Sequence, residues 1–171
     1  MKKRYKFRPL VALLLLLSLS LSSCGGGNEK DGIKIEHNEL GIVLPRSFSR
    51  LDASDSFDIA YSNGEIFVGI LRISLDYAAE ANMPTTLTPM KLCEYYRRES
   101  ETENSSSIAV HGDVPYYSYV AGKDEGAYFY LPSFYVTPYA YFVITFITPV
   151  ERGEALTEEI LSYISGVYLI L

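Results

Sequence analysis

Apolar and polar positions alternate with a period of two over several stretches of the chain, the mark of strands that bury one or both faces. Residues 33–36 and 41–44 form a first pair around a turn at His37 and Asn38, and Pro45 ends the second because it has no N–H for a ladder. The polar stretch 47–56 predicts a loop, followed by a strand over 57–61. Asn63-Gly64 then leads into a strand over 65–75, a hairpin signal because both residue types accept the positive φ of a type I′ turn. In this strand Ile66, Val68, Ile70 and Arg72 alternate with Phe67, Gly69, Leu71 and Ile73. Both sets are mostly apolar, which predicts cover on both faces.

The period changes at Thr88-Pro89. Thr is a good N-cap and Pro suits the first helical position, and Pro89, Leu92, Cys93 and Tyr96 recur at helical spacing. A polar run over 99–107 ends this helix. A meander is predicted next, with strands over 108–110, 116–121, 127–136 and 139–148. Its turns fall at Gly112-Asp113, at 122–126 and at Thr137-Pro138. A last helix is expected over 154–168, with Leu156, Ile160, Ile164, Val167 and Tyr168 as its apolar stripe. Strands with two apolar faces need a layer on each side. The pattern therefore predicts an α+β fold, an antiparallel sheet covered by helices on both faces.

The amino terminus follows a different rule. Lys2, Lys3, Arg4, Lys6 and Arg8 precede an apolar run over 10–17, and small residues follow. This is the order of an export signal, and the run is shorter than the roughly 20 apolar residues a spanning helix needs. Leu21-Ser22-Ser23-Cys24 resembles the bacterial lipobox. The resemblance implies removal of residues 1–23 and acylation of Cys24 by diacylglycerol and a palmitate-type chain. Residues 24–32, rich in glycine and short polar side chains, read as a flexible tether, and 33–171 as one domain. At ~0.8 kcal/mol per buried methylene, two acyl chains anchor stably where one does not. The expected place is the extracytoplasmic face of a bacterial membrane, held by lipid.

Charge sharpens this. The chain has 15 basic and 21 acidic residues, and five of the basic ones leave with the signal, so 10 stand against 21 and the net charge becomes −11. Nucleic acid is an unsuitable partner for such a surface. With Cys24 acylated, Cys93 is the one thiol left; its place on a helical apolar face reads as core.

The order of elements resembles the PsbP/Mog1-like superfamily, which includes small DcrB-related bacterial lipoproteins. The matching marks are Gly41-Ile42-Val43-Leu44-Pro45, Asn63-Gly64-Glu65-Ile66, the mid-chain helix, His111-Gly112-Asp113-Val114-Pro115-Tyr116, and Thr148-Pro149 before the closing helix. The resemblance implies an α/β/α sandwich used in binding or accessory roles, and it transfers no binding residue to this chain.

Catalytic chemistry finds little support. No nucleophile elbow, phosphate loop or dinucleotide fingerprint occurs, so no catalytic residue and no cofactor is expected. His111 and Asp113 make two ligands where a metal needs at least three, and Asp52, Asp55 and Asp58 lack a calcium-loop glycine; no metal site is expected. Tyrosine is the distinctive residue: fifteen in all, eight of them between 116 and 141. Tyr117, Tyr119, Tyr128, Tyr130, Tyr139 and Tyr141 are candidates for a binding surface, since tyrosine gives contact area at low entropy cost. Against this stands the residue's plain fitness for half-buried strands. The expected function is a non-enzymatic, membrane-anchored binding or accessory domain that meets membrane lipid through Cys24 and an envelope protein through its surface. The alternatives are an envelope lipid or small-molecule carrier, which needs an apolar pocket, and a surface hydrolase, which needs His37 or His111 beside a nucleophile or carboxylate.

Overall fold

The longest apolar runs become the middle of the molecule. In the computed structural model, which describes residues 32–52, 56–99, 105–122 and 126–170, β9 (Tyr128–Val136) and β10 (Ala140–Pro149) pair antiparallel. The other edge of β10 pairs with β5 (Phe67–Ser74), in a register that sets Phe142 opposite both Arg72 and Tyr135. Around this centre β3 (Ser49–Leu51) and β4 (Ile59–Ser62) extend one side, and β7 (Val114–Tyr116) and β6 (Ala109–His111) the other. β8 (Tyr119–Ala121) adds to β9 beside β7, which makes eight strands. A second, three-stranded antiparallel sheet has β2 (Leu40–Leu44) between β1 (Ile33–His37) and β11 (Val167–Leu169).

Period-two alternation divides the core between the faces of the large sheet. On one face Ile73, Phe134, Tyr141 and Val143 pack under α1 (Leu75–Glu80) and α2 (Pro89–Glu99), which contribute Ala78, Leu92 and Cys93. On the other, Val68, Ile70, Leu131, Phe142, Ile144 and Phe146 meet Leu156, Ile160 and Ile164 of α3 (Val150–Ile164) together with Leu40, Ile42 and Leu44 of the small sheet. Full burial of each large aliphatic or aromatic side chain is worth about 1.5–3 kcal/mol, so these clusters carry the stability of both layers. The result is the expected α+β arrangement of an antiparallel sheet covered on both faces. Among the described residues no helix is long and apolar enough to cross a membrane.

Several elements differ from the sequence expectation. Ser49–Leu51 pairs with β4 inside the stretch expected as loop; its mostly exposed edge residues show no apolar alternation. The strand expected to reach Leu75 ends at Ser74, whose Oγ accepts from Tyr77 N (3.2 Å) and caps α1. At Asn63-Gly64 only Gly64 takes positive φ (90°); Asn63 Oδ1 instead accepts from Glu65 N (3.0 Å) and Ile66 N (2.7 Å), so the hairpin closes through an Asx turn rather than a type I′ turn. The strand expected over 116–121 is two strands, broken at Tyr117-Ser118. The last helix begins directly after β10 and stops at Ile164, so Val167 and Tyr168, expected on its stripe, lie in β11 opposite Ile42 and Gly41. Ser165-Gly166 breaks the helix, and Val-Tyr-Leu is a good strand sequence. The signal, Cys24 and the tether up to residue 31 lie outside the described residues.

Candidate functional site

Strand alternation sends Tyr128, Tyr130 and Phe134 of β9 to the face covered by α2, and the β8–β9 register sets Tyr119 opposite Tyr130. The two rings stack with centroids 4.8 Å apart and 3° between planes. Tyr117 continues the ladder at 5.9 Å from Tyr119 and 5.8 Å from Phe134, and Tyr96 of α2 closes it at 5.4 Å from Phe134. Offset aromatic pairs of this kind add about 0.5–1.5 kcal/mol each beyond their buried area. Burial pushes the Tyr119 and Tyr130 phenols above their ordinary range, with neighbouring phenols adding to it.

The six candidate tyrosines do not share one surface. Tyr117 and Tyr141 are core residues at 2% and 0% exposure. The Tyr141 hydroxyl donates to Pro84 O (2.8 Å) and accepts from Leu87 N (3.0 Å), fastening the segment that leads into α2. Tyr139 is 67% exposed, in the turn between β9 and β10, at the opposite end of β9 from Tyr128. What remains for contact with a partner is the half-buried Tyr119–Tyr130 stack with Tyr128 near it. Alternation predicts the face of each tyrosine, but burial depends on the helix laid over that face.

A second locus joins residues 54 positions apart. The β6–β7 hairpin turns at Gly112, which has a φ of 60°, and brings His111 and Asp113 to the C-terminal end of α3. His111 Nε2 lies 2.8 Å from Ser165 Oγ, and Ser165 Oγ donates to Leu161 O at 3.2 Å. The Ser165 hydroxyl thus has the Leu161 carbonyl as one acceptor, and the tautomer of His111 sets whether Nε2 donates to Oγ or accepts from it. His111, Gly112, Asp113, Val114, Ile164, Ser165 and Val167 line an open cleft of about 360 Å³, the lower end of the range for ligand sites. Ser165 is the C-cap of α3, at the negative end of the helix dipole. The cleft therefore favours hydrogen-bond donors and positive charge, and the N–H groups that would hold an oxyanion lie at the other end of the helix. Among the described residues no carboxylate bonds His111 Nδ1, and no third ligand joins His111 and Asp113. Ser165 carried no signal in the sequence beyond the Ser-Gly pair that ends the helix.

His37 belongs to a different cluster. Its Nε2 is 3.5 Å from Asp58 Oδ2, which accepts from Arg72 N at 2.6 Å. Arg72 also forks onto Glu39 through Nε (2.9 Å) and Nη2 (2.8 Å), and its guanidinium lies 6.0 Å over the Phe142 ring. These groups clasp the β1–β2 turn to β5. Cys93 is fully buried and its thiol is pushed up to about 12 by that burial, so it is a core side chain and a poor nucleophile.

An antiparallel sheet between helices, with a small sheet closed by the last strand, defines a PsbP-like fold. The solved structures it matches include the cyanobacterial PsbP (CyanoP) of Synechocystis sp. PCC 6803, at a TM-score of 0.54 and 11% identity over 88% of this chain and 99% of that one. They also include LpqN of Mycobacterium tuberculosis, described as involved in cell envelope biogenesis, at a TM-score of 0.53 and 10% identity over 82% of this chain and 91% of that one. At such identities the likeness concerns the fold. No protein-family model and no curated protein matches the sequence.

Proposed function

We propose that this chain is a lipid-anchored protein of the bacterial cell envelope, and that its α+β domain binds a partner or ligand without catalysing a reaction. The observation that carries the anchor is Leu21-Ser22-Ser23-Cys24 at the end of a basic and then apolar export segment. The fold shared with LpqN, a protein involved in envelope biogenesis, supports the envelope setting. For the binding role, the Tyr119–Tyr130 stack and the cleft beside Ser165 are the two surfaces to test. In cells fed a palmitate analogue, the wild type should be labelled and sediment with membranes, whereas Cys24→Ser should be unlabelled and recovered without lipid. A labelled Cys24→Ser protein would sink the reading.

The hydrolase alternative has the His111–Ser165 contact in its favour. The competing Leu161 carbonyl and the negative helix end speak against it, so a fluorophosphonate probe should leave Ser165 unmodified. Stoichiometric modification at Ser165, lost in His111→Phe, would establish a serine enzyme instead.

A further inference from the structure

We infer that the cleft at the C-terminal end of α3 faces the lipid surface and takes the primary ammonium of an ethanolamine-type head group; this rests on the lipid-anchored reading above. The position follows from the pairing of the small sheet. A side-chain atom added to Gly32, the first described residue, would stand 2.6 Å from Val43 Cγ1 and 2.7 Å from Leu44 O, so the chain enters the domain against β2. Across β2, Val43 N donates to Gly166 O at 3.2 Å. Gly166 separates Ser165 from Val167, and both line the cleft. Gly32 and Gly166 thus flank one strand, two strand spacings or roughly 10 Å apart.

Chain length turns this adjacency into orientation. Cys24 and Gly32 are eight residues apart, a span of at most about 29 Å for any conformation. A domain of this size is roughly 35–40 Å wide. The leash is shorter than the domain and leaves from the cleft end, so the opposite end cannot rest on the bilayer and the cleft end is held within the leash's reach of it.

The chemistry selects the head group. Asp113 is exposed on its turn, Ser165 supplies a hydroxyl, and α3 ends with its negative pole there. The Asp113 carboxylate and the helix pole repel a phosphate, and the His111 Nε2 that shares the lining is engaged by Ser165 Oγ at 2.8 Å. A primary ammonium brings three N–H donors, whereas a quaternary ammonium of the same charge brings none. The net charge of −11 on residues 24–171 points the same way, away from anionic lipid.

The test uses the acylated chain in vesicles. Flotation with vesicles of any composition checks the anchor first; a wild type that does not float ends the anchored reading on its own. In floating protein, amide exchange at 111–114 and 164–167 should slow about three-fold or more in ethanolamine-lipid vesicles relative to choline-lipid vesicles, and Asp113→Asn should abolish the difference. Equal exchange in the two lipids, or a difference that survives Asp113→Asn, overturns the proposal. Free ethanolamine is added to protein in detergent as a further arm. If it gives the full protection there, the cleft binds a soluble amine and the lipid-facing assignment fails.

Discussion

Arg72 sits in an otherwise apolar strand, and its environment accounts for it. Glu39 takes both arms of the guanidinium, with the two side chains 22% and 24% exposed, and Asp58 takes the backbone N–H of the same residue. The hydrogen bond from Arg72 holds the Glu39 carboxyl below its ordinary value of 4.5, against a smaller opposing effect of burial, and the same contact raises Arg72. A carboxyl lowered in the folded state stabilises the fold above its unfolded value, and that stability disappears as the pH falls through the lower, folded value. Wild-type stability should therefore fall with acidification below about pH 4.5, and Glu39→Gln should flatten that slope. At neutral pH the substitution should cost about 1–2 kcal/mol, because it leaves a half-buried guanidinium with a neutral acceptor. Urea titrations at several pH values measure both effects, and a slope unchanged in Glu39→Gln would assign the acid sensitivity elsewhere.

At the scale of elements, α3 illustrates how packing overrides propensity. Gly153 in its first turns would normally be improved by alanine, with a gain of about 0.5–1 kcal/mol. Here the Phe129 ring occupies the space a Cβ would need, so Gly153→Ala should instead destabilise by about 1–3 kcal/mol through overpacking against β9. A thermal midpoint that rises in Gly153→Ala would refute the close approach. The same helix marks the limit of what the sequence discloses. β5, β9, β10 and α2 are legible because their apolar periods are long and unambiguous. β11 is not: Ile160, Ile164, Val167 and Tyr168 fit a helical stripe, and what takes the last two out of it is the break at Ser165-Gly166 together with pairing to β2, where the ring of Tyr168 lies over Gly41. α1 has six residues, too few to show a period, although Ser74 and Asp76 are ordinary cap and first-turn residues. The His111–Ser165 contact is a tertiary event between a hairpin and a helix end, and nothing local to either residue announces it.

For the whole molecule, the two sheets divide the work. The large sheet, held between helices, carries both buried clusters, and its tyrosines serve them more than any surface: Tyr117 and Tyr141 are buried, and Tyr119 with Tyr130 is half so. The small sheet brings together the entry of the chain at Gly32, the end of α3 and the His111 cleft. The end of the domain at which Gly32 stands is therefore also the end that carries the cleft, and the proposed anchor at Cys24 would tether the domain from that side. The most direct measurement is the intact mass of the protein extracted from membranes, with its amino terminus sequenced by fragmentation. The account predicts a chain that begins at Cys24 and carries a diacylglyceryl thioether on that residue. A chain that retains residues 1–23, or one cleaved elsewhere with Cys24 unmodified, would contradict it.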